Sequence, residues 1–112
     1  MRVPTRSQFV KALKRLPVPQ GRQIDFLRAH SKASGRALTA RRLAQAVRYK
    51  DYRGVNLHYG LLARRIGEEL GVRDARLSLL VDFVEPKTVT NTEWVMVMHP
   101  QFAAALKEVG WV

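Results

Sequence analysis

The sequence predicts an α+β fold, mostly helical with one β-hairpin, in a single domain spanning residues 1–112. Three observations predict it. Apolar residues recur at three- and four-residue spacing through four segments before Gly71. The period then shifts to two between Leu77 and Met98, and Pro100 restarts a helical pattern. No repeat, low-complexity tract or long linker divides the chain, and 46% of it is hydrophobic. A chain of this size buries enough surface to fold without a metal or a disulfide.

The first helix is predicted over Arg6–Leu16, where Phe9, Val10, Leu13 and Leu16 share a face and Thr5 or Ser7 is placed to cap it. Pro17 and Pro19 end it, because proline has no amide hydrogen for the helical ladder. A second helix is predicted over Arg22–Lys32, with Ile24, Phe26 and Leu27 inward, before Ser34-Gly35 breaks the chain. Leu38-Thr39 is expected to open a third, short helix reaching Val47. Thr39 would cap it, Leu43, Ala44 and Val47 would face the core, and Arg41, Arg42, Gln45 and Arg48 would stay outside.

The connection Arg48-Tyr49-Lys50-Asp51 leads to the longest helix, Tyr52–Leu70, with Asp51 as its cap and Gly71 as its stop. Val55, Tyr59, Leu62, Ile66 and Leu70 form its core stripe. Arg53, Gly60 and Arg64 lie opposite, with Asn56 on the flank, and Leu57 and Leu61 interrupt this polar side. Gly54, Gly60 and Gly67 each cost the helix about 1 kcal/mol relative to alanine. Close approach of another helix, or of a nucleic-acid backbone, is expected to offset that cost.

A strand is predicted over Leu77–Val84 and a second over Glu93–Met98, with Leu77, Leu79, Val81, Phe83, Trp94 and Met96 anchoring the sheet in the core. The polar segment Glu85–Asn91 between them forms the hairpin tip. The last helix starts at Pro100 and carries Phe102, Ala105, Leu106 and Val109.

Charge narrows the function. Twenty Lys and Arg face nine Asp and Glu, a net of +11. Residues 1–67 hold 16 basic and 2 acidic residues, a net of +14, whereas residues 68–112 hold 4 basic and 7 acidic, a net of −3. Such polarity suits a polyanion docking on one part of the fold. There are no cysteines, so disulfides, thiolate metal sites and cysteine nucleophiles are excluded. His30, His58 and His99 are scattered, no phosphate loop is present, and Glu68-Glu69 are helix neighbours that point in different directions. Neither catalysis nor a cofactor is expected. With no apolar run resembling a signal peptide or a membrane span, a cytoplasmic location, nucleoid-associated in a bacterium, is expected, with no membrane partner.

A helix, a short helix, a tight turn, a long helix and a hairpin, over about residues 21–98, resemble the winged helix-turn-helix superfamily of DNA-binding domains, here with an extra N-terminal and C-terminal helix. The resemblance implies that Asp51–Leu70 is the recognition helix in the major groove of duplex DNA. Arg53 would pair with guanine and Asn56 with adenine, and Arg64 lies on the same side. Tyr49, Lys50 and Tyr52 would stand in the turn where phosphates pass; Arg41, Arg42 and Arg48 would line the flank. Lys87 and Thr88, with Thr90 and Asn91, would form the wing. Tyr52-Arg-Gly-Val-Asn-Leu-His-Tyr-Gly-Leu-Leu and Leu-Lys-Glu-Val-Gly-Trp are also similar to stretches of small bacterial modules that accompany HNH-type nucleases.

The expected role is that of a transcriptional regulator or a DNA-reader module. Two alternatives stand beside it: a protein-interaction module such as a phage-type inhibitor, and a binder of structured or single-stranded RNA that stacks bases on Tyr49 and Tyr52. A homodimer and a separate partner protein are both open.

Overall fold

The computed structural model describes residues 3–50, 52–85 and 94–112, and within them the α+β architecture consists of five α-helices and one three-stranded antiparallel sheet. Helix α1 (Arg6–Lys14) starts at a reciprocal cap. The Thr5 hydroxyl accepts the Gln8 amide at 3.2 Å, and Gln8 Oε1 accepts the Thr5 amide at 2.9 Å. It stops two residues before the predicted Leu16, because the Arg15 and Leu16 amides tighten back onto Ala12 and Leu13. Helix α2 (Arg22–Lys32) follows the proline segment, entered through Gly21 at φ +62°.

The third expected element needs correction. Thr39 does cap the short helix, but Ala37–Thr39 is also a strand, β1, which the spacing did not predict. It pairs with strand β3 (Val95–Met98), with Leu38 opposite Met96. Thr39 ends the strand and also caps helix α3 (Ala40–Ala46), its hydroxyl accepting the Arg42 amide at 3.1 Å. Three residues are too few to display a period of two, so only pairing reveals this strand. Helix α4 (Tyr52–Leu70) keeps its predicted bounds. Its expected cap, Asp51, lies outside the described residues, but Gly71 does end it: at φ +74°, it lets the Val72 amide reach Gly67 O at 2.8 Å.

The first predicted strand is also shorter. Leu77–Leu79 form a 3-10 turn that buries Leu79 and Leu80 in succession, and strand β2 is confined to Val81–Val84. The sheet order is β1-β3-β2, with Val81 opposite Met98 and Phe83 opposite Met96. Phe83 and Trp94 were expected in the core, yet they are 45% and 52% exposed. Cross-strand pairing puts Phe83 on the side of Met96 and Met98, but alternation decides only the side of a sheet, not whether anything stands opposite. Helix α5 (Pro100–Glu108) closes the fold against α1, with the Phe9 and Phe102 rings 5.2 Å apart.

A polar group crosses this apolar core. His30 of α2 and Tyr59 of α4 are both fully buried, and Phe26 packs 4.8 Å from the Tyr59 ring. His30 Nε2 lies 2.9 Å from Met96 O, which can only accept, so Nε2 donates there. Burial lowers the histidine pKa and favours the neutral ring. Nδ1 is then an acceptor, and the Tyr59 hydroxyl donates to it at 2.7 Å. One chain of bonds thus joins α2, α4 and β3.

Candidate nucleic-acid interface

Helix α4 organises the site because its two sides are so unlike. Val55, Tyr59, Ala63 and Ile66 are buried, and a Cβ built on Gly67 would overlap the Cβ of Ala75. The absent side chain at Gly67 is what lets the segment after Gly71 fold back along the helix. On the other side, Arg53, Asn56, Leu57, Leu61 and Arg64 are exposed, with half-buried Gly60 among them. At 100° per residue these positions form one stripe about 16 Å long. Leu57 and Leu61, 61% and 43% exposed, belong to that stripe; neither fills the core.

The turn before α4 is held by its tyrosine. Tyr49 is half-buried, with the Arg22 guanidinium 5.5 Å above its ring and His58 5.7 Å to the side. Gly54 allows the same ring to within 3.4 Å of the position its Cβ would take. His58 in turn bonds Gln23 at 3.0 Å, so the start of α4 is tied to α2 through Tyr49 and His58. Desolvation raises the Tyr49 pKa and keeps its hydroxyl neutral. The ring expected to stack on bases is therefore occupied by protein contacts. Tyr52 opens α4.

Arg48 occupies the left-handed region at φ +61°, where α3 ends and the Tyr49 amide reaches back to Ala44 O at 2.9 Å. A residue other than glycine in that conformation is held at a cost, and the side chain it projects is exposed. Lys50, Arg41 and Arg42 are exposed on the same turn and on α3. Elsewhere on the surface, Arg6 pairs with Glu108 at 2.6 Å and Arg15 with Glu69 at 3.8 Å. Lys87 and Thr88, with Thr90 and Asn91, lie outside the described residues.

The fold adds residues that spacing along the chain could not reveal. Arg76 and Leu77 return beside α4 and, with Asn56, Leu57, Leu61 and Arg64, line an open groove of about 370 Å³ over Gly60. The small pair Gly67 and Ala75 was the available signal for this return, since two such residues mark a close crossing only once their partner is known. Among the described residues, no three His, Asp or Glu side chains stand together as metal ligands, and no helix is long and apolar enough to cross a membrane. No family model, curated protein or solved structure matches the chain.

Proposed function

We propose that this protein binds duplex DNA as a winged helix-turn-helix, with α4 as the recognition helix. The observation that carries the reading is the uncovered stripe of α4, on which Arg53, Asn56 and Arg64 stand in the basic part of a chain of charge +11. Strand β1 between α2 and α3, and the sheet order β1-β3-β2 after α4, support the winged-helix assignment. The stripe is long enough to lie along a major groove about 12 Å wide, and Arg and Asn are the side chains that pair with guanine and adenine edges. Arg42, Arg48 and Lys50 precede it and serve phosphates, which fix register without reading sequence.

Titration of duplex DNA over a range of salt tests the reading. Neutralising about five to seven phosphates gives a slope of log K against log salt of about −4 to −6. A slope near zero removes nucleic acid as the partner and leaves a protein-interaction module. Tighter binding to single strands or to double-stranded RNA would transfer the reading to RNA. Arg53→Ala and Asn56→Ala are expected to flatten preference among duplex sequences, whereas Arg42→Ala weakens all sequences alike.

A further inference from the structure

The stripe of α4 has a polar beginning, an apolar middle and a cationic end. Arg53 and Asn56 come first, Leu57 and Leu61 flank Gly60, and Arg64 follows. Exposed leucines are out of place on a surface this basic unless they are covered in use. Gly60 supplies a second observation, since a Cβ there would meet nothing within 4 Å. Among the described residues nothing stands against that position to account for a glycine in mid-helix, but a surface closing onto the groove would. The cations around the groove, Arg64 and Arg76, choose among occupants and favour a polyanion.

We infer that Leu57 and Leu61 read the C5-methyl groups of pyrimidines, thymine above all, in the major groove, with Gly60 letting the helix sit deep enough for them to reach. This rests on the duplex-DNA reading given above. A thymine methyl is the apolar feature that the major groove presents, and apolar side chains are its partners. Spacing agrees: four residues of helix rise about 6 Å, close to two base-pair steps of about 3.4 Å. The leucines then stand over pyrimidines two steps apart, while Arg64 reaches a phosphate beyond them.

The full chain is titrated against four labelled duplexes: alternating dA and dT, the same with dU for dT, alternating dG and dC, and the same with C5-methylated dC. Removing the methyl is expected to weaken binding about fourfold for each methyl contacted, the value of one buried methylene. The dG and dC pair repeats the comparison at constant base-pair type, which separates methyl reading from the narrow minor groove of A·T sequence. Leu57→Gln and Leu61→Gln, at exposed positions, are each expected to reduce the preference for the methylated duplex by about fourfold, and the double variant to erase it. Equal affinity of the unmodified protein for methylated and unmethylated duplexes overturns the inference and leaves the duplex reading standing. A preference that survives undiminished in the double variant also overturns it. Binding to none of the four duplexes at low salt overturns both.

Discussion

The two sides of helix α4 contain the same kind of residue put to opposite uses. Gly67 faces inward, where Ala75 takes up the space its side chain would need. Gly60 faces outward, and a Cβ there would meet nothing within 4 Å among the described residues. Both weaken the helix by a similar amount, so their difference lies wholly in what stands across from them. The inward side is complete within the chain: Val55, Tyr59, Ala63 and Ile66 are buried. The outward side is incomplete, with two exposed leucines and a glycine among Arg53, Asn56 and Arg64. A completed surface is expected to respond to mutation in stability alone, and an incomplete one in binding.

Gly67→Ala tests the completed side most severely. The new methyl collides with a side chain that has no torsion to turn away, so a loss of about 2–3 kcal/mol is expected, as for an overpacked core. Chemical denaturation measures it, and a stabilised variant would mean that the segment at Ala75 can yield. Tyr59→Phe comes next, costing about 1–2 kcal/mol because the buried His30 Nδ1 loses its donor.

The same histidine gives stability a pH dependence. Its folded pKa is lowered from 6.5, so the unfolded chain takes up a proton first as pH falls. The stability is fully present above pH 6.5 and is lost on acidification towards the folded pKa. Melting curves recorded through that window are expected to fall more steeply for the parent than for His30→Gln. Parallel curves would place the acid response elsewhere.

On the incomplete side the effects are smaller and divide between two measurements. Gly60→Ala is expected to stabilise the fold by about 0.5–1 kcal/mol while weakening duplex binding. Higher stability with unchanged affinity would show that nothing approaches the helix there. Arg48→Gly relieves the left-handed residue, for a gain of about 0.5 kcal/mol, and removes one cation from the turn. Its salt slope should be shallower by about 0.9, the contribution of a single phosphate. An unchanged slope would exclude Arg48 from the interface.

Much of this architecture was legible along the chain. The bounds of α2 and α4, the Thr39 cap, the break at the prolines and the helix start at Pro100 all follow from local chemistry acting within a turn or two, and the structure chooses Thr5 over Ser7 as the first cap. The buried stripe of α4 was legible in part, since helical geometry maps spacing onto a face: Val55, Tyr59 and Ile66 are buried as expected, Leu62 and Leu70 are half-buried, and Ala63 joins the stripe. Strand β1 was not legible, because three residues take their conformation from Met96 and Val97 across the sheet rather than from one another. Phe83 and Trp94 misled for a related reason: hydrophobicity and alternation describe the residue, while burial also requires a neighbour.

For the candidate site the division is the same. Sequence alone determined that the charge is concentrated in residues 1–67 and that Arg53, Asn56 and Arg64 share a side of one helix. Both depend only on composition and on a fixed helical repeat. Tertiary structure decided that Tyr49 is a strut between α2 and α4, that Leu57 and Leu61 are uncovered, and that Arg76 joins their groove. Each of these depends on which segment lies opposite. That is set by the packing of residues far apart in the chain, such as Phe9 on Phe102 and His30 on Tyr59, and no local spacing records it.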